Sequence, residues 1–172
     1  MDRALITGML KDWLLALVIL LAVMGAWNLM SAKPPATGGN APDIVLVDDQ
    51  LGEWKLSAQV GTPVVINFWA TWCGPCRAEI PAIDRFAKAH PEVQVVGISL
   101  DERASTRAVK KTAERLGASY AILHDEDGRA SRPYGVRSLP TTFVIDAEGN
   151  VQGRWVGGID EAGLTRLVYG QE

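Results

Sequence analysis

Cys73 and Cys76 are the only two cysteines among 172 residues, and only Gly74-Pro75 separates them. Ahead of them runs Val64-Val65-Ile66-Asn67-Phe68-Trp69, apolar and rich in β-branched side chains, which predicts a buried strand. Behind them, Arg77 to Ala87 places apolar residues at helical spacing. The dithiol therefore sits where a strand ends and a helix begins. Unpaired N–H groups and the helix dipole favour negative charge there, which stabilises a thiolate. A thiolate attacks disulfides, so the place suits thiol–disulfide exchange. A structural disulfide is a weaker use of the pair, because so small a loop constrains little of the unfolded chain. Zinc would need further ligands, and the only other soft donors, His90 and His124, are single and far apart in sequence.

The elements around the pair alternate. Ile44–Val47 reads as a strand, and 52–56 pairs near it across an Asp48-Asp49-Gln50 turn. Val64–Trp69 is then the central strand, and the cysteine helix runs from Cys73 to about His90, with a bend expected at Pro81. Val93–Leu100 is a second buried strand. Asp101 is expected to cap the next helix, with Ala108, Val109, Thr112, Ala113 and Leu116 on one face and Gly117 as its stop. Tyr120–Leu123 is a short strand. The Asp125-Glu126-Asp127-Gly128 cluster lacks the spaced ligands of a calcium loop and reads as a solvated turn. A brief helix is expected before Gly135. Thr141–Ile145 and Val151–Val156 form a hairpin, and Asp160–Val168 an amphipathic helix. Such alternation implies an α/β sheet covered on both faces.

The N-terminal stretch is different in kind. No charge occurs from Trp13 to Ala32, and Leu14 to Met24 is wholly apolar. About 20 helical residues cross the roughly 30 Å of a bilayer core, and Trp13 and Trp27 lie near the two ends. An uncleaved anchor over 13–32 is expected in preference to a cleaved signal peptide, since Met30 is bulky for a cleavage site at Ala32. Arg3 and Lys11 before the span lean towards a cytoplasmic segment 1–12 and a domain outside the cytoplasm, in a bacterial periplasm. Residues 33–42, with Pro34, Pro35, Gly38, Gly39 and Pro42, read as a linker, and 43–172 as one domain. The net charge of −3 and pI near 5.4 argue against a nucleic-acid partner.

Three segments together resemble a thioredoxin fold: Phe68-Trp69-Ala70-Thr71-Trp72, then Cys73-Gly74-Pro75-Cys76, then the distant Ser138-Leu139-Pro140-Thr141-Thr142. The segment from about Asp101 to Leu123, the Arg77-Ala78-Glu79-Ile80-Pro81 sequence and the apolar N-terminus narrow the likeness. They resemble the TlpA/ResA/CcmG group of membrane-anchored thiol–disulfide oxidoreductases, over roughly 41–169. The resemblance implies a central mixed β-sheet flanked by helices, an N-terminal β extension and a central helix–strand insert, preceded by one transmembrane helix.

It also implies roles. Cys73 would be the exposed attacking thiolate and Cys76 the buried resolving thiol. Pro140 matches the family's cis-proline facing the dithiol, and with Leu139, Trp72, Gly74 and Pro75 would bind the substrate segment. Glu79 matches an acidic residue beneath the active site, able to move the proton of Cys76 where burial raises its pKa; a solvated helix glutamate is the alternative. Glu102 matches a second common acidic position and a possible proton relay, although either it or Asp101 can simply cap the helix. Thioredoxin has a buried Asp where this chain has Asn67, which leaves Glu79 as the candidate shuttle. No cofactor is expected beyond the cysteine pair, and no metal.

Gly-Pro between the cysteines is the pair of thioredoxin, a reductant near −270 mV, and no His is close to Cys73 in sequence. The family implies a protein-disulfide reductase fed by a membrane electron donor of the DsbD/CcdA kind and acting on substrate thiols, commonly those of apocytochrome c during cytochrome c maturation. A monomer is the default. An oxidant or isomerase would run the same dithiol in reverse, and a copper-delivery or copper-site assembly factor would use it as ligand or reductant. A peroxidase fits poorly, because Thr71 precedes Cys73 by two residues rather than three.

Overall fold

The computed structural model describes residues 3–30, 33–48 and 52–170, and side chains over 11–26, 33–47 and 52–170. Its elements are α1 (Arg3–Met30), β1 (Val45–Asp48), β2 (Gly52–Lys55), β3 (Val64–Trp69), α2 (Gly74–Ala89), β4 (Gln94–Ser99), α3 (Thr106–Arg115), β5 (Ala121–His124), β6 (Thr141–Ile145), β7 (Val151–Val156) and α4 (Glu161–Tyr169). The chain divides into two units, residues 1–32 and 33–172.

The first unit is the helix α1. Among the described residues no helix is long and apolar enough to cross a membrane. No described helix therefore supports the expected anchor over 13–32, whose last two residues, 31 and 32, lie outside the described residues.

The second unit is built on β3, which is buried at every position. It lies at the centre of a five-stranded sheet ordered β5-β4-β3-β6-β7. β4 and β5 run parallel to it in turn, β6 is antiparallel to β3, and β7 is antiparallel to β6. Alternation sends β3 side chains to two different cores. Val64, Ile66 and Phe68 pack with Ile44, Leu46, Trp54, Leu56 and Tyr134, which come from the β1–β2 hairpin and the segment after β5. Val65 meets Ile83 and Phe86 of α2 and Leu164 and Val168 of α4. Trp69, on that same face, packs with Ile80 of α2 and Val109 and Ala113 of α3.

All three helices of this unit therefore cover one face. The crossovers β3-α2-β4 and β4-α3-β5 advance across the sheet in the same direction, and because such parallel connections share one hand they put both helices on one side. The other face is covered by the hairpin and by turns. This corrects the expected brief helix before Gly135: residues 126–135 form consecutive turns, with Gly128 and Gly135 at φ of 74° and 59°. A Cβ on Gly135 would lie 2.6 Å from Pro34 N, a contact that only glycine avoids.

Other differences are local. The segment 33–42 is not a free linker throughout: Gly38 N donates to Val151 O, Val151 N to Gly39 O and Ala41 N to Gly149 O, while Tyr134 Oη donates to Pro42 O. β1 and β2 pair as expected, in the register Val45↔Lys55, but the connecting residues 49–51 lie outside the described residues. α3 is capped by Ser105, whose hydroxyl accepts from Ala108 N, and not by Asp101. Ala108 is exposed, so the buried stripe of α3 is Val109 and Ala113. Asp125 turns inward from its acidic cluster and accepts from Ala130 N and Ser131 N.

Phe143 of β6 is fully buried and meets Phe68 and Tyr134 edge-on, at centroid distances of 6.0 and 4.9 Å. Phe143→Ala removes the contact that joins β6 to β3 on this face. Chemical denaturation is expected to show a loss of about 3–5 kcal/mol.

Candidate functional site

The end of β3 delivers the cysteines. After Trp69 the chain turns once, with Cys73 N donating to Ala70 O at 3.1 Å. Cys73 is the N-cap of α2, and its sulfur accepts from Cys76 N at 3.3 Å. Pro75 suits this first turn, where a backbone N–H is not needed. The two cysteines are joined as a disulfide, with Cα atoms 5.3 Å apart. Cys76 is fully buried and Cys73 is 6% exposed, so Cys73 is the sulfur that a partner can reach, although less open than expected. Trp72 beside it is 71% exposed, and Gly74 and Pro75 are exposed.

Sheet register brings the distant proline to the same end. Phe68 pairs with Thr141, so the residue before β6 falls beside the C-terminal end of β3. The Leu139–Pro140 peptide bond is cis. Leu139 packs against the cluster that contains Cys73 and Cys76, and Pro140 O accepts from Gly157 N at 2.9 Å. Cys73, Cys76 and Leu139, the last joined by a cis bond to Pro140, are thus gathered from two places far apart in sequence.

Glu79 lies on the buried side of α2, five positions after its start, at 4% exposure. The parity of β3 puts Asn67 on the helix face, and Asn67 Nδ2 donates to Glu79 Oε1 at 2.8 Å and to Thr142 Oγ1 at 3.1 Å. Ile159 N, just before α4, donates to Oε2 at 3.0 Å. Burial pushes the Glu79 carboxyl up from its ordinary 4.5 to about 7, against the opposing pull of the Asn67 and Ile159 hydrogen bonds. Asn67 Oδ1 has no partner among the described residues. An amide that donates to the carboxylate through Nδ2 also carries the acceptor that a protonated Glu79 needs. A groove lined by Pro75, Ala78, Trp155 and Gly158 reaches Glu79 from solvent.

The remaining residues separate. Glu102 is exposed, in the loop after β4, and lines a groove with Trp72, Leu100, Arg103 and Ala104. Asp101, read as a helix cap, is instead buried at 4% exposure and binds the turn before the cysteines. Its side chain accepts from Thr71 N at 2.9 Å, Thr71 Oγ1 at 2.6 Å and Ser99 Oγ at 2.6 Å. Only its position after a buried strand hinted at this, and a cap has the same signature. His124 Nε2 donates to Asp101 O at 2.6 Å while Nδ1 meets Thr106 Oγ1 at 3.0 Å, so both ring nitrogens are engaged. His90 pairs with Glu92 and Tyr169 at the far end of α2. Among the described residues, no cluster of His, Cys, Asp and Glu could hold a metal ion.

This arrangement can exchange a disulfide in two steps. The Cys73 thiolate, held at the helix N-terminus, forms a mixed disulfide; Cys76 then attacks Cys73 Sγ and closes the bond seen here. Cys76 must lose a proton to attack. Glu79, three residues further along the same helix and poised near neutrality, is the group able to take it.

Comparison with known proteins agrees with this chemistry. A family model described as the AhpC/TSA family matches residues 37–154. The chain is 36% identical over 140 residues to the thiol-disulfide oxidoreductase ResA of Geobacillus kaustophilus, covering 79% of this chain and 80% of that one. It is 32% identical over 157 residues to the thioredoxin-like protein YneN of Bacillus subtilis, covering 87% and 92%. A solved thiol:disulfide interchange protein of the thioredoxin family from Chlorobium tepidum superposes with a TM-score of 0.65 at 33% identity, over 80% of this chain and 95% of the other. The chain belongs to the thioredoxin-like AhpC/TSA family and is a thiol–disulfide oxidoreductase whose redox group is its cysteine pair.

The raised carboxyl of Glu79 has a stability consequence. The folded protein keeps a proton that the unfolded chain releases, so stability is full below about pH 4.5 and falls as pH rises to about 7. The full difference is about 3 kcal/mol. Glu79→Gln is expected to abolish this fall, measured as the denaturant midpoint of the oxidised protein at pH 5 and pH 8. The same variant should slow disulfide exchange about tenfold or more.

Proposed function

We propose that this family member is a protein-disulfide reductase, anchored in the bacterial inner membrane with its catalytic domain in the periplasm. The observation that carries the direction is what surrounds Cys73. Its sulfur is hydrogen-bonded to Cys76 N, and both histidines are bound elsewhere: His124 to Asp101 and Thr106, His90 to Glu92 and Tyr169. Strong oxidants stabilise the attacking thiolate, and hence the reduced form, far more than a helix N-terminus alone does. A modestly stabilised thiolate makes the dithiol a ready electron donor.

In the reaction, two electrons and two protons pass from the Cys73/Cys76 dithiol to a substrate disulfide, which leaves as two thiols. The disulfide left behind must be reset by another dithiol. A membrane electron donor of the DsbD/CcdA kind fits that need, since a periplasmic reductant works against an oxidising compartment. The substrate surface is the exposed Trp72 with Leu139 and Pro140, and the thiols of apocytochrome c are the proposed target. Support for this setting is the resemblance to the ResA group, and support for the anchor is the uncharged, apolar run within 13–32. Glu102, beside Trp72, is a further proton-relay candidate.

The test is the reduction potential of the full chain in detergent, equilibrated against glutathione and dithiothreitol buffers. A value below about −230 mV is expected for a reductant. A value above about −150 mV would make the protein a disulfide donor and overturn the reading.

A further inference from the structure

Asp101 is a buried carboxyl that the exchange steps do not use. It comes from the loop after β4, yet two of its hydrogen bonds go to one residue, Thr71, whose backbone N–H and hydroxyl it holds at once. A third, from Ser99 Oγ, ties it back to β4, and Ser99 Oγ also accepts from Asp101 N at 3.2 Å. Its own carbonyl takes His124 Nε2–H from β5. Leu100 N donating to Trp69 O completes the seam between the ends of β3 and β4. The three donors that hold the carboxylate, Thr71 N–H, Thr71 Oγ1–H and Ser99 Oγ–H, are all neutral. Thr71 is two residues before Cys73, so their Cα atoms are at most about 7.6 Å apart.

We propose that Asp101 is a positioning residue for the exchange reaction: it clasps the Thr71–Trp72 turn that carries Cys73, and the charge it brings there opposes thiolate formation and makes the dithiol more reducing than it would be without that charge. The α2 N-terminus pulls towards the thiolate, and Asp101 pulls the other way. The other ionisable groups near this end act differently. Glu79 lies on the buried side of α2, Arg77 is exposed on α2, Glu102 and Arg103 are exposed in the loop after β4, and His124 meets the Asp101 backbone carbonyl, not its carboxylate. None of them touches Thr71 in the way Asp101 does. The proposal concerns a change in the exchange equilibrium and not its absolute direction. It therefore stands or falls separately from the reductant reading.

The experiment compares the full chain with Asp101→Asn, Asp101→Ser and Asp101→Glu. One readout is the equilibrium constant with glutathione; the other is the pH midpoint of Cys73 alkylation in the reduced protein. A unit charge removed from the turn next to a thiolate is worth about a factor of three to ten. Asp101→Asn is expected to shift the equilibrium by that factor towards the dithiol and to lower the alkylation midpoint by about half to one unit. Asp101→Ser removes the same charge while leaving space for water at Thr71 N–H, and should shift both readouts in the same direction even where Asn folds poorly. Asp101→Glu retains the charge and should restore most of the wild-type values. If the neutral variants fold and leave both readouts within about 1.5-fold and 0.2 unit of wild type, or if Asp101→Glu moves them as far as Asp101→Asn does, the proposal is wrong.

Discussion

The C-terminal end of β3 is the constraint on which the rest depends. Six consecutive buried residues can only lie in a sheet covered on both faces, and strand parity then decides what each face receives. Ile66 and Phe68 go to the hairpin side. Asn67 and Trp69 go to the helix side, where Asn67 meets Glu79 and Trp69 packs against the cluster holding both cysteines. A one-residue slip in register would exchange these roles and remove the hydrogen bond on which Glu79 rests. The same register, continued through Phe68↔Thr141, brings Pro140 to the cysteines.

Two buried carboxyl groups flank the dithiol, and they are held in different ways. Glu79 has two hydrogen-bond donors, a neutral amide and one backbone N–H, and burial outweighs them, so its carboxyl stays near neutrality. Asp101 has three donors arranged around both oxygens, including one backbone N–H. A sparsely satisfied acid is suited to exchanging a proton, and a fully satisfied one to holding a shape. They come from different elements, Glu79 from α2 and Asp101 from the loop after β4.

Much of the site was legible in the chain. Cys73 and Cys76 announce themselves by spacing between a strand and a helix, and the structure has that strand at 64–69 and that helix from Gly74. Glu79 was singled out by the family resemblance, which has an acidic residue three positions past the second cysteine; its residue type alone left a solvated helix glutamate open. The hairpin of β6 and β7 was visible because alternation and a turn lie close together in sequence. Misreadings occurred where local chemistry permits two outcomes. Asp101 has the residue type of a helix cap, but Ser105, closer to the helix start, takes that role and frees Asp101 to turn inward. Residues 38–41 have linker composition, yet their backbone groups find partners at Gly149 and Val151. The segment before Gly135 has helical residues, but Gly128, Pro133 and Gly135 break it into turns.

By itself the sequence determined most of the strands and helices and the redox pair, because these follow from periodicity and spacing over a few residues, while Glu79 and Pro140 were picked out by the family resemblance. Tertiary structure alone decided which groups meet. The pairing of Asn67 with Glu79, the approach of Ile159 N to the same carboxylate, the clasp of Asp101 on Thr71 and the placement of all three domain helices on one face each join residues from separate elements. Such contacts depend on strand order, crossover hand and burial, and these are properties of the packed sheet that no local pattern of residues encodes.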